Sequence, residues 1–313
     1  MEILNNEQLN VDVNEKPLTD EEQMKLDIKN LRPAYRPLVY NLAYFVNTNP
    51  VLQNFVKMGI EIRKWDNRRT IAESILRLDE EKHVKPILIF LHDIGIPKES
   101  QAFVIEKNPM LFSQEMTNLN ARIEYLKSKK FTNEMIASIV VKAPLILNIS
   151  VSDVDTKLGW FQSEFKLTGD EIRSLMTEKP RLITLPLNIP SKVKFSLKEF
   201  LCYDEKTIKN FLLTFPKLFT KEFEQIEANI VYLTQVCKLT DKFIAIYPPI
   251  LCAPLHLLKS RYAYLKHLDR VQFDPTKPNF VSLKNLIEPN LNEFCSRTAK
   301  TTVEDFTNFL KKV

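Results

Sequence analysis

Apolar residues recur along this chain at helical spacing and are punctuated by proline. Before Pro216, the residues Ile208, Phe211, Leu212 and Phe215 follow the i, i+3, i+4, i+7 spacing of one helical face, and Ile136, Ile139, Val140 and Ala143 repeat it before Pro144. Proline disfavours helical geometry in the residue before it, while its fixed φ suits the first turn of a new helical piece. Each such proline therefore predicts a corner. A short apolar turn follows, such as Pro216-Lys217-Leu218-Phe219. After it comes a longer amphipathic helix, for instance through Val193, Leu197, Phe200 and Leu201 or through Leu119, Ile123 and Leu126.

Aligned on Pro50, Pro109, Pro144, Pro180, Pro216 and Pro248, the chain shows spacings of 59, 35, 36, 36 and 32 residues. The positions five before, four before and two after each proline are apolar in every case, from Phe45, Val46 and Leu52 to Phe243, Ile244 and Ile250. With 44% apolar residues, chance fills all eighteen cells roughly once in a few million trials, so the pattern is a repeat. A helical unit of about 35 residues cannot bury its apolar stripe alone. The expectation is an all-α solenoid, right- or left-handed, with two α-helices and a short 3-10 piece per unit and a curved, open groove.

Short loops join the units: Lys130-Phe131-Thr132, Lys166-Leu167-Thr168 and Lys238-Leu239-Thr240. Each threonine predicts an N-cap, Thr168 with Glu171 predicts a capping box, and each lysine stands where a helix C-terminus favours positive charge. The long interval from Pro50 to Pro109 predicts an insertion or a degenerate unit around Ile71 to Leu91. The stretch 273–287 breaks the pattern, and Val303, Phe306 and Leu310 predict one last amphipathic helix. The reading divides the chain into a leader (1–30), a solenoid (31–264) and a terminal cap (265–313).

Composition removes most enzyme classes. Only 4 glycines stand against 18 prolines in 313 residues, so neither of the glycine-rich phosphate loops can be written. His83, His92, His256 and His267 form no metal-binding pair motif, and Cys202, Cys237, Cys252 and Cys295 include no CxxC. Cys252 and His256 have ligand-like spacing, but Pro254 between them disfavours a regular helix. Asp153 with Asp155, and Asp79 with Glu80 and Glu81, read as caps or solvated charges. Asn148-Ile149-Ser150 fits a glycosylation acceptor, against which the reduced-thiol reading argues. The expectation is a protein that is not an enzyme, with no cofactor, metal or membrane span.

Charge is uneven. Residues 1–30 hold 3 lysines and 8 carboxylates, while the rest holds 41 basic and 31 acidic groups. The first thirty residues lack an apolar core and are rich in acids, unlike a transit peptide, which leaves cytoplasmic residence or a mature form open. A basic folded part favours polyanionic partners.

Proline followed by apolar residues in such a repeat resembles the mitochondrial transcription termination factor (mTERF) family. The resemblance covers 31–313 and tightens at RLDEEKHVKPILIFLHDIGI (77–96), VVKAPLILNISVSDVDTKLGWFQ (140–162) and FDPTKPNFVSLKNLI (273–287). It implies a curved helical-repeat fold, residence in the mitochondrial matrix and binding of DNA or ribosomal RNA. It also implies roles in restraining transcription and in large-subunit ribosome biogenesis. The acidic start departs from the presequence the family carries.

Binding of a nucleic acid by a solenoid needs basic side chains at equivalent positions of successive units, because affinity comes largely from phosphate contacts. Arg181 and Lys217 each follow their proline, Lys107 and Lys142 precede theirs by two, and Lys179 precedes Pro180. Further clusters are Arg63, Lys64, Arg68 and Arg69, and Lys127, Lys129 and Lys130. Tyr125, Trp160, Phe161 and Tyr203 could stack on bases, although core packing is the stronger reading. A protein-docking scaffold for ribosome assembly, with a matrix protein as partner, is the alternative, and a monomer is expected.

Overall fold

A computed structural model describes residues 41–312. The acidic leader and the first ten residues assigned to the solenoid lie outside the described residues. In chain order the helices are α1 (Pro50–Lys57), α2 (Arg69–Leu76), α3 (Lys85–Asp93), α4 (Lys98–Lys107), α5 (Met116–Ser128), α6 (Asn133–Lys142), α7 (Val151–Phe165), α8 (Gly169–Glu178), α9 (Asn188–Glu199), α10 (Glu205–Thr214), α11 (Phe223–Val231), α12 (Asp241–Ile246), α13 (Leu255–His267), α14 (Leu283–Ile287), α15 (Leu291–Glu293) and α16 (Val303–Leu310). Among the described residues there is no strand, and no helix is long and apolar enough to cross a membrane.

Proline does at each corner what its stereochemistry requires. Asn108, Ala143, Lys179, Phe215 and Tyr247, the residues before five of the prolines, share φ between −131° and −142° and ψ between 62° and 75°. Each leaves helical geometry because the proline ring would clash with it there. A single turn follows: 3-10 at Pro109–Ser113, Pro144–Asn148, Pro216–Thr220 and Pro248–Cys252, and α at Arg181–Thr184. The second residue after the proline is Leu111, Ile146, Leu182, Leu218 or Ile250, each at most 3% exposed. The next residue is buried too: Phe112, Leu147, Ile183, Phe219 or Leu251.

The units stack in three rows. The first helices α4, α6, α8 and α10 contact one another in succession, as do the corner turns. Among the second helices, α5 touches α7, α9 touches α11, and α11 touches α13. The turn row lies in the core, and this is the helical-repeat solenoid the sequence predicts. Thr132, Thr168 and Thr240 cap α6, α8 and α12, and Thr168 and Glu171 close the capping box.

A second period is written in backbone conformation. Gly59, Gly95, Lys130, Lys166, Cys202, Lys238, Asp269 and Lys300 all hold positive φ, at spacings of 36, 35, 36, 36, 36, 31 and 31 residues. Each closes a second helix, and the following amide donates back to a carbonyl five or six residues earlier, as Phe131 does to Leu126 and Leu239 to Leu233.

This period corrects the proline series at its start. Pro50 is exposed and opens α1, whose N-cap Asn49 accepts from the Leu52 amide at 3.1 Å through Oδ1. It belongs to a second helix rather than to a corner. The interval after it holds no insertion but a degenerate unit, the second of the two alternatives expected around Ile71 to Leu91. Gly59 to Gly95 spans one full unit, made of α2, a wide turn Glu80–Val84 and α3, in which no proline marks the corner. At the other end, α14, Pro289, α15 and the wide turn Phe294–Ala299 form a shortened unit closed by Lys300, with α16 beyond it.

Candidate nucleic-acid interface

One set of polar side chains faces inward and fixes the seams between units. Thirteen residues after four of the corner prolines stand Arg122, Lys157, Asn229 and Arg261, each reaching carbonyls at the end of the next unit's turn. Arg122 Nε donates to Ile149 at 2.6 Å, and Lys157 Nζ to Ile183 and Leu185 at 2.6 and 2.8 Å. Asn229 Nδ2 donates to Leu251 and Ala253, both at 2.8 Å. Arg261 donates to Leu286 at 2.9 Å and Pro289 at 2.6 Å, with its guanidinium over the Phe294 ring. Burial lowers the pKa of Lys157, Arg122 and Arg261. The fifth position is Val193, fully buried, and there α9 packs directly on the turn Pro216–Thr220. These positions share one column of the repeat, but the sequence reading missed them because hydrophobic patterning does not report polar groups that face backbone.

The basic candidates divide into engaged and free. Lys64 pairs with Glu106 at 2.7 Å and Glu61 at 3.2 Å, which raises its pKa, while Arg63 only approaches Glu61 at 3.9 Å. Arg69 pairs with Glu73 and Lys127 with Glu124. Lys129 pairs with Asp155 at 2.8 Å and lies over the Tyr125 ring; Lys107 lies over Phe103. Lys142 Nζ donates to the Thr177 carbonyl of the next unit at 2.8 Å. Arg68, Lys130, Arg181 and Lys217 are exposed and Lys179 is half-buried, and none of the five has an ion-pair partner among the described residues.

Arg181 and Lys217 sit on adjoining turns of the corner row. The sequence reading missed Lys221, four residues on, which no column of the repeat marks. Burial pushes the Cys252 thiol up to about 11, and Lys221 and Lys217 oppose that rise, so both ammonium groups lie near this sulfur. The corner edge between the third and fifth proline turns thus gathers Lys179, Arg181, Lys217 and Lys221. Such a gathering of positive charge suits an anionic ligand.

The aromatic candidates pack as expected. Phe161 is buried against Phe165, Trp160 lies edge-on to both, and Tyr203 is buried with its hydroxyl donating to the Asp241 carbonyl. Tyr125 donates to Asp155 at 2.6 Å. The acidic pairs act as caps and partners. Asp79 accepts from the Lys82 amide and Ser150 from the Asp153 amide, while Glu81 pairs with Lys85. Asn148 is clasped by Asn108, each amide donating to the other across a unit boundary. Cys252 ends a turn and His256 lies in α13 beyond Pro254, so the two stand on different elements.

A family model described as mTERF matches residues 46–294. Transcription termination factor 3, mitochondrial, of Drosophila melanogaster is 34% identical over 289 residues, 92% of this chain and 81% of its own length. The protein of that name in Mus musculus is 34% identical over 281 residues, 89% of this chain and 68% of its own. Its counterpart in Rattus norvegicus is 32% identical over 298 residues, 94% and 71%.

Proposed function

Because this chain belongs to the mTERF family, we propose that it is a nucleic-acid-binding regulator of mitochondrial gene expression, acting on mitochondrial DNA or ribosomal RNA in the matrix. Restraint of transcription and assembly of the large ribosomal subunit are the processes this reading assigns to it. The observation that carries the binding reading is the pair Arg181 and Lys217, exposed, without ion partners among the described residues, and set on adjoining turns. Charges left unpaired at equivalent sites of a stacked repeat form a ladder that can follow a phosphate backbone. In this reading residues 31–264 are the binding solenoid and 265–313 its cap, and the protein acts as a monomer.

One observation favours a docking role beside it. Phe195 and Val231, each fifteen residues after its proline, are 55% and 40% exposed on the contacting helices α9 and α11. An apolar pair on that outer face suits a protein partner.

The test is fluorescence anisotropy with duplex DNA, single-stranded DNA and structured RNA. The parent binds at least one probe, and Arg181→Glu with Lys217→Glu weakens binding to it at least about tenfold without lowering the melting temperature. Equal affinity of parent and variant would remove the corner ladder from the account.

A further inference from the structure

The opposite ends of the helices carry a second set of lysines. Three take a backbone conformation that lysine rarely adopts, although the helix C-termini there favour their charge, and two stand at helix N-termini, which disfavour it. Lys130, Lys166 and Lys238 hold φ of 65°, 52° and 56°. The left-handed region suits glycine, which does occupy the equivalent positions 59 and 95. Lys206 and Lys242 stand in the first turns of α10 and α12, the helix end that favours negative charge. All five are exposed, and none has an ion-pair partner among the described residues.

Three of the carboxylates nearby are taken by other cations, and Asp204, beside Lys206, caps α10 by accepting from the Thr207 amide. Asp170 pairs with Arg173, Glu171 with Lys209, and Glu205 with Lys194 and Lys198. The loops also form one continuous row, because each touches the first helix of the next unit. Arg173 donates to the Lys129 carbonyl at 3.3 Å, Lys209 to the Lys166 carbonyl at 2.9 Å, and Tyr203 to that of Asp241. At a helix-packing distance of about 8–10 Å per unit, four loops span on the order of 30 Å, enough for several successive phosphates. Local rules broken repeatedly at one edge, with the charge left free, mark a surface kept for a ligand.

We propose that this loop edge is a second phosphate-backbone contact surface for nucleic acid, separate from the corner cluster of Arg181, Lys217 and Lys221. It rests on the nucleic-acid reading above.

The informative variant is Lys130→Gly with Lys166→Gly and Lys238→Gly. Glycine relieves the positive φ at each site while removing the charge, so the fold is kept. Binding of a fluorescein-labelled DNA duplex and a labelled RNA stem-loop is measured across salt concentrations for the parent, this triple variant and Arg181→Glu with Lys217→Glu. The expected result is an equal or higher melting temperature for the triple variant. Its duplex affinity falls at least about tenfold at low salt, and its slope of log K against log salt is shallower by about 2 to 3. A triple variant that binds as the parent does, while the corner variant is weakened, overturns the loop edge and leaves the functional reading standing. A parent that binds neither probe overturns both. Cys202 supplies a second readout, because this exposed thiol occupies the same backbone position between Lys166 and Lys238. Saturating duplex slows its alkylation; an unchanged rate overturns the proposal.

Discussion

Arg261 ties two units together through one buried side chain. Its guanidinium donates to the Leu286 and Pro289 carbonyls, and leaving buried polar groups without partners costs more than such bonds contribute when made. Arg261→Met is therefore expected to lower stability by about 2–4 kcal/mol in urea titration, with amide exchange accelerating first in residues 283–299. Leu218, fully buried two residues after its proline, tests packing instead. Leu218→Ala is expected to cost about 2–5 kcal/mol by the same titration. The apolar member of each such pair was legible in the sequence, since a buried position must be apolar in every unit. The polar member was not, because Arg122, Lys157, Asn229 and Arg261 look like ordinary surface residues until the backbone carbonyls they reach are in place.

Among the elements, five of the proline corners were legible, and the first full unit only as one of two alternatives. Its corner lacks proline, and the apolar pattern around Pro50 imitated the series although Pro50 opens a helix. The left-handed positions keep the true register through this unit, but a left-handed lysine such as Lys166 looks like any loop lysine in sequence. What holds the unit to α4 is Glu106. Its carboxylate accepts from Lys64 and from the Glu61 amide, while its carbonyl accepts from the Trp65 indole. Partial burial, the largest single influence, pushes its pKa up, but the bonds from Lys64 and the Glu61 amide outweigh it and the carboxyl ends below its ordinary value. A carboxyl with lowered folded pKa adds stability above its unfolded pKa, near 4.5, and loses it as pH falls through the folded value. Glu106→Gln is expected to be less stable than the parent at pH 7 and to show a shallower loss of stability on acidification below about pH 5, read by urea titration at each pH.

At the scale of the whole molecule, the stack turns isolated side chains into rows. Corner lysines and arginines line one end of the helices, loop lysines the other, and Phe195 and Val231 the outer face of α9 and α11. The fold class was legible because repeat stacking follows from unit length and apolar period. The candidate site was legible only in part. Arg181 and Lys217 have no ion-pair partner among the described residues, whereas Lys64 and Lys129 are held by carboxylates whose proximity only the fold creates, and Arg69 and Lys127 by carboxylates one turn away on their own helices. The central claim is that the free charges meet phosphates. Its most direct test is the salt dependence of binding by the intact chain to duplex DNA and structured RNA. The account predicts a log–log slope of about −3 or steeper for the preferred ligand, the signature of several released counterions. A slope near zero, or no binding near physiological salt to either ligand, would contradict it.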